Sequence, residues 1–151
     1  MVEHPHRQCV LDFLDAFYSG DVERAISYCD EELDTVTQAP IDLFPNLGQK
    51  HGKSWVGEAI RTQQSRYSSR KCEVKLIAAE ADTVATILLL SLRKRSDERM
   101  IHLETAEFFT MRNGRIHIHR SFFDTFNFVE QVLGTDLTDM FTGKVRDALR
   151  A

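Results

Sequence analysis

The residues best suited to acid/base chemistry lie near the end of this 151-residue chain. His119 falls on the last predicted strand, Glu107 on the strand before it, and Asp124 directly after the last strand. Imidazoles and carboxylates are the groups that most often transfer protons in active sites. Asp124 stands among phenylalanines, where partial desolvation would suit a carboxyl group to proton exchange near neutral pH. We predict Asp124, His119 and Glu107 as catalytic residues. The structural alternative for Asp124 is a cap on the following segment.

The register of the hairpin decides whether Glu107 and His119 meet, because a one-residue slip moves alternate side chains to the opposite face. Residues 112–114, Arg-Asn-Gly, are a strong hairpin signal. A two-residue turn would place Glu107 opposite Arg120, whereas a three-residue turn with a glycine bulge would place it opposite His119. An ordinary cross-strand polar cluster is the alternative to an acid/base pair. The residues alone leave both registers open.

A set of alternating residues would share one pocket face with Glu107 and His119 in the bulged register. We predict ligand contacts from Thr105, His117, Ser121 and Phe123 on these strands, and from Phe17, Tyr18 and Trp55 on two helices. Core packing is the alternative for the three helical aromatics. His117, His119 and Glu107 also invite a metal site, but no further ligand has diagnostic spacing. We therefore predict no metal, and because the sequence has no glycine-rich phosphate loop, we predict no cofactor either.

Composition limits the function classes. A net charge of −4 argues against a protein that binds the phosphate backbone of nucleic acids. The longest apolar run, residues 84–92, is too short to cross a bilayer. The first residues, MVEHPHRQ, lack the features of a secretion signal, so we expect a cytoplasmic protein. Three widely spaced cysteines fit ordinary buried thiols better than disulfides.

Helices and strands must position these residues. Apolar spacing predicts an amphipathic helix over residues 9–18, and Asp21 would cap a second, shorter helix. A strand is predicted over residues 33–39 and a long loop over residues 40–53. Ser54 would then cap a third helix. Loops of that length often form the lid or rim of a site.

The second half of the chain is predicted as β structure from residue 71 to residue 128, followed by a C-terminal helix at about 136–150. This order indicates an α+β fold, in which a curved antiparallel sheet wraps around helices and forms a conical cavity. Residues 1–151 would form a single domain. The outer sheet face is apolar, and we expect a homodimer to bury it through Ala106, Phe108, Ile118 and Phe122.

Three stretches of the sequence carry a family resemblance: SGDVERAISYCDEEL, HGKSWVGEAI and MRNGRIHIHRSFFDTFNFVEQVLG. Their order and spacing resemble the nuclear-transport-factor-2-like superfamily over nearly the whole chain. Within it, the last stretch is most similar to the SnoaL-like group, which includes polyketide cyclases, with ketosteroid isomerases as more distant relatives. The resemblance implies a cystatin-like roll.

The resemblance also implies roles for individual residues. Asp124 matches the acid/base aspartate of the cyclases. Superposition on the isomerases favours the bulged turn, because it puts Glu107 near their oxyanion-hole acid. Ala39 stands where the isomerases have their basic aspartate, and Phe13 where they have the oxyanion tyrosine. Steroid isomerisation by that mechanism is therefore not expected.

The function predicted from these observations is binding of a small molecule. The protein would act as a cofactor-independent cyclase or isomerase that moves a proton on an apolar, oxygenated substrate. The alternative is a non-catalytic ligand-binding or dimeric assembly module of the same fold. No nucleic acid or membrane partner is expected. A cavity filled by aromatic side chains would favour the module.

Overall fold

The computed structural model describes residues 4–150, and this part of the chain forms five helices and six strands. The helices are α1 (Pro5–Ser19), α2 (Val22–Ser27), α3 (Ser54–Arg66), α4 (Thr125–Leu133) and α5 (Thr138–Arg150). The strands are β1 (Cys29–Gln38), β2 (Gly48–His51), β3 (Tyr67–Glu80), β4 (Thr83–Lys94), β5 (Met100–Arg112) and β6 (Arg115–Phe123).

All six strands form one sheet in the order β2-β1-β6-β5-β4-β3. The four strands from β3 to β6 make the expected antiparallel meander. The α+β class is confirmed, but the sheet is mixed, because β1 runs parallel to β6. Parallel neighbours require a long connection, and here about half of the chain separates the two strands.

Helix α1 forms because its apolar residues recur on one face, and that face is buried in the core. Val10, Phe13 and Leu14 are the buried members of the stripe. The helix ends at Gly20, whose φ of 85° is left-handed and therefore suits glycine. Asp21 caps α2 by accepting a hydrogen bond from the backbone N–H of Arg24, as the sequence predicts.

The segment between β1 and α3 differs from the prediction in two ways. The long loop contains the short edge strand β2, which pairs with β1 through residues 48–51. Ser54 is the first helical residue of α3 and not its cap, because Lys53 occupies the N-cap position without a side-chain bond. In addition, β1 starts at Cys29, four residues early, since Cys29 already pairs with Ile116.

The interpretation of residues 71–128 as β structure is wrong at its end. The last strand stops at Phe123, and Asp124 begins α4 by accepting a hydrogen bond from the backbone N–H of Asn127 at 3.0 Å. An aspartate at this position supplies the partner that the first turn of a helix lacks. The helix ends at Gly134.

The C-terminal helix α5 is confirmed, but it buries none of its residues. Its apolar side chains remain exposed: Met140, Phe141, Val145 and Leu149. Within residues 4–150, no helix is long and apolar enough to cross a membrane.

Candidate functional site

A cavity of about 700 Å³ lies between the inner face of the sheet, helices α1 and α3, and the loop before β2. Its walls are largely apolar and its polar groups are few, which is the usual make-up of a small-molecule pocket. The cavity is therefore not filled by the aromatic residues around it. Eight of the predicted site residues line it: Phe17, Tyr18, Trp55, Thr105, Glu107, His119, Ser121 and Phe123.

The hairpin that carries the site begins with the predicted two-residue turn, but at Glu107 it follows neither of the two predicted registers. Asn113 and Gly114 form a two-residue turn with positive φ angles of 51° and 74°, and Arg112 pairs with Arg115. Between the partners of Met111 and Thr110, β6 contains one extra residue. This bulge shifts the register of all the following pairs by one residue. This bulge could not be read from the turn signal, which describes only the end of the hairpin.

The bulge places Glu107 opposite Ser121, and not opposite His119 as predicted. The shift of register nevertheless keeps odd-numbered residues of both strands on the cavity face, as in the predicted bulged turn. His119 lies opposite Phe109, two pairs further along the ladder. Glu107 and His119 are therefore diagonal neighbours on the same face.

The buried Glu107 and the partly buried His119 form the polar centre of the cavity. Oε1 of Glu107 lies 2.6 Å from Nε2 of His119, and Oε2 accepts a hydrogen bond of 2.8 Å from the Thr105 hydroxyl. Glu107 is only 5% exposed. Both carboxylate oxygens thus have partners, as a buried charged group requires. The backbone oxygen of Glu107 is also fixed, by the hydroxyl of Thr86.

Aromatic rings fix the plane of the His119 imidazole. Phe109 stacks against it with the ring centroids 4.3 Å apart and an angle of 16° between the planes. Phe13 of α1 meets it edge-on at 5.9 Å. Together with the hydrogen bond to Glu107, these contacts restrict the imidazole to one orientation. One ring nitrogen, Nδ1, has no hydrogen-bond partner within residues 4–150.

Tyr18 brings a hydroxyl group to the same cavity. Burial raises its pKa well above the usual range, and the negative charge of Glu107 adds to the effect. The hydroxyl is therefore protonated at neutral pH and can donate a hydrogen bond. It has no hydrogen-bond partner in the described part of the chain. The guanidinium of Arg70 lies 5.6 Å from the centroid of the Tyr18 ring.

Asp124 lies outside the cavity. Its side chain is exposed and caps α4, so the expected desolvated environment among phenylalanines is wrong. The reason is the alternation of β6, which turns Phe123 into the cavity and ends the strand there. The catalytic role of Asp124 stays a prediction, and the geometry gives this residue the capping role instead.

His117 also lies outside the cavity, contrary to the expectation of ligand contact. It sits at the β6 bulge, with Nδ1 3.9 Å from Oδ1 of Asp30, which is itself bound by Arg112. The bulge removes His117 from the alternation that places His119 in the cavity. In residues 4–150, no group of three or more histidine, cysteine, aspartate or glutamate residues could hold a metal ion.

Two groups of cavity residues were not predicted. Leu43, Phe44 and Leu47 come from the loop after β1, and Phe44 packs against Phe128 of α4. The length of this loop was the only signal for it. The second group comprises cations at the ends of α3 and β4: Arg66, Lys94 and Arg95. Arg95 lies in the connection between β4 and β5, for which the sequence predicted no contact with a ligand.

The family follows from the sequence together with this geometry. The sequence profile of the SnoaL-like domain matches residues 10–119, a range that begins within α1 and ends within β6. The chain belongs to the SnoaL-like domain family. No curated protein sequence matches this SnoaL-like chain.

Solved structures resemble this SnoaL-like protein over most of its length. A proposed isomerase from Rhodopseudomonas palustris shares 28% identity, with a TM-score of 0.74, over 89% of this chain and 99% of that one. TerC, co-crystallised with polyporic acid, shares 18% identity with a TM-score of 0.77, over 85% and 98%. An NTF2-like protein of unknown function from Burkholderia pseudomallei shares 16% identity with a TM-score of 0.77, again over 85% and 98%. The NTF2-like fold is thereby confirmed.

Proposed function

We propose that this SnoaL-like protein binds an apolar, oxygenated small molecule in the cavity and moves a proton on it through His119. The observation that carries the proposal is the 2.6 Å contact between the Glu107 carboxylate and the imidazole of His119 inside an apolar cavity. The proton would be taken from, or returned to, a carbon beside a carbonyl group of the ligand. The reaction class would be that of an isomerase or a cyclase.

The hydrogen bond between Glu107 and His119 indicates which imidazole nitrogen would act as the base. An ionised carboxylate only accepts hydrogen bonds, so Nε2 of His119 carries a proton and Nδ1 keeps its lone pair. Nδ1 would then take the proton from the ligand, and Glu107 would stabilise the resulting imidazolium. Glu107 acts as a positioning residue here, because His119 and Thr105 already occupy its two oxygens.

Removing a proton next to a carbonyl leaves negative charge on the carbonyl oxygen, which needs a hydrogen-bond donor. The protonated hydroxyl of Tyr18 lines the same cavity and interacts electrostatically with Glu107. We assign it this role. The step needs no cofactor, because the base and the donor both come from the chain.

The first test is ligand binding, with phenylnaphthylamine as a neutral, apolar fluorescent probe. We expect saturable binding by the wild type, because the walls of the cavity are apolar. Ala59 lines the cavity, so an Ala59→Phe variant should lose the binding by reducing the space. The probe could also bind to the exposed apolar side of α5, and the Ala59→Phe variant would not weaken that binding. Probe binding that is the same in the wild type and in Ala59→Phe would contradict the proposed site.

The second test separates catalysis from binding alone. Apolar ketones that displace the probe are screened for proton exchange next to the carbonyl. We expect a His119→Gln variant to bind such a ketone normally and to exchange its proton no faster than buffer does. If the wild type binds ketones tightly but accelerates proton exchange on none of them, the proposed catalysis fails and the non-catalytic binding module is the remaining function.

We also propose that the outer face of the sheet is a homodimer interface. Phe108 and Phe122 are 41% and 36% exposed on neighbouring strands, and their rings meet edge-on at 6.0 Å. A two-fold axis through this patch would pack it against the same patch of a second copy. We expect a dimeric mass by light scattering at micromolar concentration, and a monomeric mass for Phe108→Lys. A monomeric wild type would overturn the interface.

A further inference from the structure

Two arginines lie at the rim of the cavity, away from Glu107 and His119. Arg66 is the last residue of α3, and Arg95 directly follows β4. Both are exposed, and both line the cavity. The backbone N–H of Arg95 donates a hydrogen bond of 2.9 Å to the carbonyl oxygen of Arg66, which holds the two residues next to each other.

Neither guanidinium is neutralised by a carboxylate in the described part of the chain. Nη1 of Arg66 donates to the amide oxygen of Asn46 at 3.3 Å, and Nε of Arg95 donates to the carbonyl oxygen of Gln64 at 2.9 Å. The neighbouring Lys94 differs, because Asp97 lies 3.0 Å from its ammonium group. The rim therefore carries two uncompensated positive charges.

This local charge is opposite in sign to the charge of the whole protein, which is −4. The rim also offers neutral hydrogen-bonding side chains, because Asn46, Ser65 and Ser96 line the same cavity. Arginine presents several N–H groups in a planar fork, a geometry that matches carboxylate and other oxyanions. The rim is thus suited to an anionic group.

The rim and the proton-transfer pair lie at different positions along β4. Thr86 lies opposite Glu107 in the sheet, whereas Lys94 at the other end of β4 directly precedes Arg95. At roughly 3.3 Å per residue, the strand between them is at most about 26 Å long. Apolar side chains such as Leu90, Leu92 and Leu103 line the cavity along this path. One elongated ligand could therefore touch both ends.

We propose that the ligand carries an anionic group, a carboxylate or a similar oxyanion, at the end remote from the carbon that exchanges its proton. Arg66 and Arg95 bind this group, the leucine-lined middle of the cavity holds an apolar body, and His119 meets the reacting end. This inference rests on the proposed function, because it assigns the class of ligand to the same cavity.

The test compares two fluorescent probes with the same rings. Anilinonaphthalene sulfonate is anionic, and phenylnaphthylamine lacks the sulfonate. We expect the wild type to bind the sulfonate more tightly, with an affinity that falls as salt is added. Arg66→Gln should weaken sulfonate binding about tenfold and leave binding of the neutral probe within about twofold. Arg66→Lys, which keeps the charge, should restore part of the loss.

The matched control is Arg61→Gln, which makes the same change about one and a half turns earlier on α3, outside the cavity lining. It should bind both probes as the wild type does. Equal affinity of the wild type for the two probes, or a sulfonate affinity that Arg66→Gln does not change, would overturn this inference and leave the apolar ligand cavity standing. If neither probe binds in a manner sensitive to Ala59→Phe, the cavity itself is not a ligand site and both proposals fail.

Discussion

Glu107 and His119 are joined diagonally across two strands. The carboxylate oxygen and the imidazole nitrogen lie 2.6 Å apart, although the direct partner of Glu107 is Ser121 and that of His119 is Phe109. The small side chain of Ser121 leaves space beside Glu107 for the imidazole. Phe109 stacks on the ring from its own position in the ladder. The bulge in β6 thus sets both the partner and the orientation of the candidate base.

Glu107→Gln keeps the shape of the side chain and removes the charge that would stabilise an imidazolium. We expect ligand binding to change little and proton exchange to slow by about a hundredfold, which is typical for the loss of acid/base assistance. Exchange rates measured by proton NMR in heavy water check this. Glu104→Gln on the opposite, exposed face of β5 is the control and should exchange normally. Proton exchange by the Glu107→Gln variant at the wild-type rate would refute the positioning role of Glu107.

Asp124 provides a test between capping and catalysis. Asparagine caps helices as well as aspartate does, so Asp124→Asn should retain both stability and proton exchange. Asp124→Ala should lower the free energy of unfolding by about 1 kcal/mol, because the N–H of Asn127 loses its acceptor. Urea unfolding and the exchange assay measure the two effects. A stable Asp124→Asn protein without exchange activity would establish the catalytic role that the sequence predicts.

Phe109 is fully buried and supports His119 by stacking. Phe109→Leu removes part of the ring without adding polar groups, and we expect the free energy of unfolding to fall by about 1–2 kcal/mol. Proton exchange should also slow, since the imidazole loses one of its supports. Phe141→Leu, at an exposed position of α5, should change stability by less than about 0.5 kcal/mol. Equal losses in the two variants would contradict this account of the core.

The contribution of Asp97 to the stability of the folded protein depends on pH. Hydrogen bonds from Arg99 and Lys94 lower the pKa of Asp97 from its ordinary 3.8 to about 2. A carboxylate with a lowered pKa in the folded state stabilises the protein above its unfolded pKa, and this contribution is lost as the pH falls from about 4 to about 2. Asp97→Asn should therefore be less stable than the wild type at neutral pH, and the difference should shrink towards pH 2.

Urea unfolding at several pH values measures the effect of Asp97→Asn. The control is Asp147→Asn, which changes an exposed aspartate of α5 that makes no hydrogen bond or ion pair within residues 4–150. It should follow the wild type at every pH. A difference between Asp97→Asn and the wild type that stays constant down to pH 2 would show that its charge does not support the rim.

The cysteines should react slowly with alkylating reagents. Burial raises the pKa of Cys72 to about 12, and the negative charge of Glu107 contributes. Burial raises the pKa of Cys29 to about 12 as well. Because the thiolate is the reactive form, both should be alkylated by iodoacetamide at least about a hundredfold more slowly in the folded protein than in urea. Mass spectrometry of peptides distinguishes the sites, and rapid labelling of folded Cys72 would contradict its environment.

The first two helices could be predicted because their signals are local. The buried stripe of α1 and the capping aspartate of α2 depend on residues within one or two turns, and both were correct. The mixed sheet was missed, because the parallel pairing of β1 with β6 joins segments about 80 residues apart in a chain that contains no pattern linking them. Edge strand β2 is short and polar, so its alternation carried no signal.

The predictions for the candidate site were likewise correct where the signal is local and wrong where it depends on distant pairing. The bulged register that the family resemblance favoured correctly put Glu107, His119 and Ser121 on one face, since any register with the same parity gives that result. The exact pairs and the position of His117 depended on the bulge, which no turn residue announces. The environment of Asp124 depended on where the strand ends, and its capping potential was the better guide.

The most direct measurement of the central claim is exchange of the proton next to the carbonyl of an apolar ketone that displaces the probe, with α-tetralone tested first, followed by proton NMR in heavy water. The proposed role of His119 predicts exchange faster than in buffer for the wild type, and exchange at the buffer rate for His119→Gln with the ketone still bound. Equal acceleration by wild type and His119→Gln would contradict it.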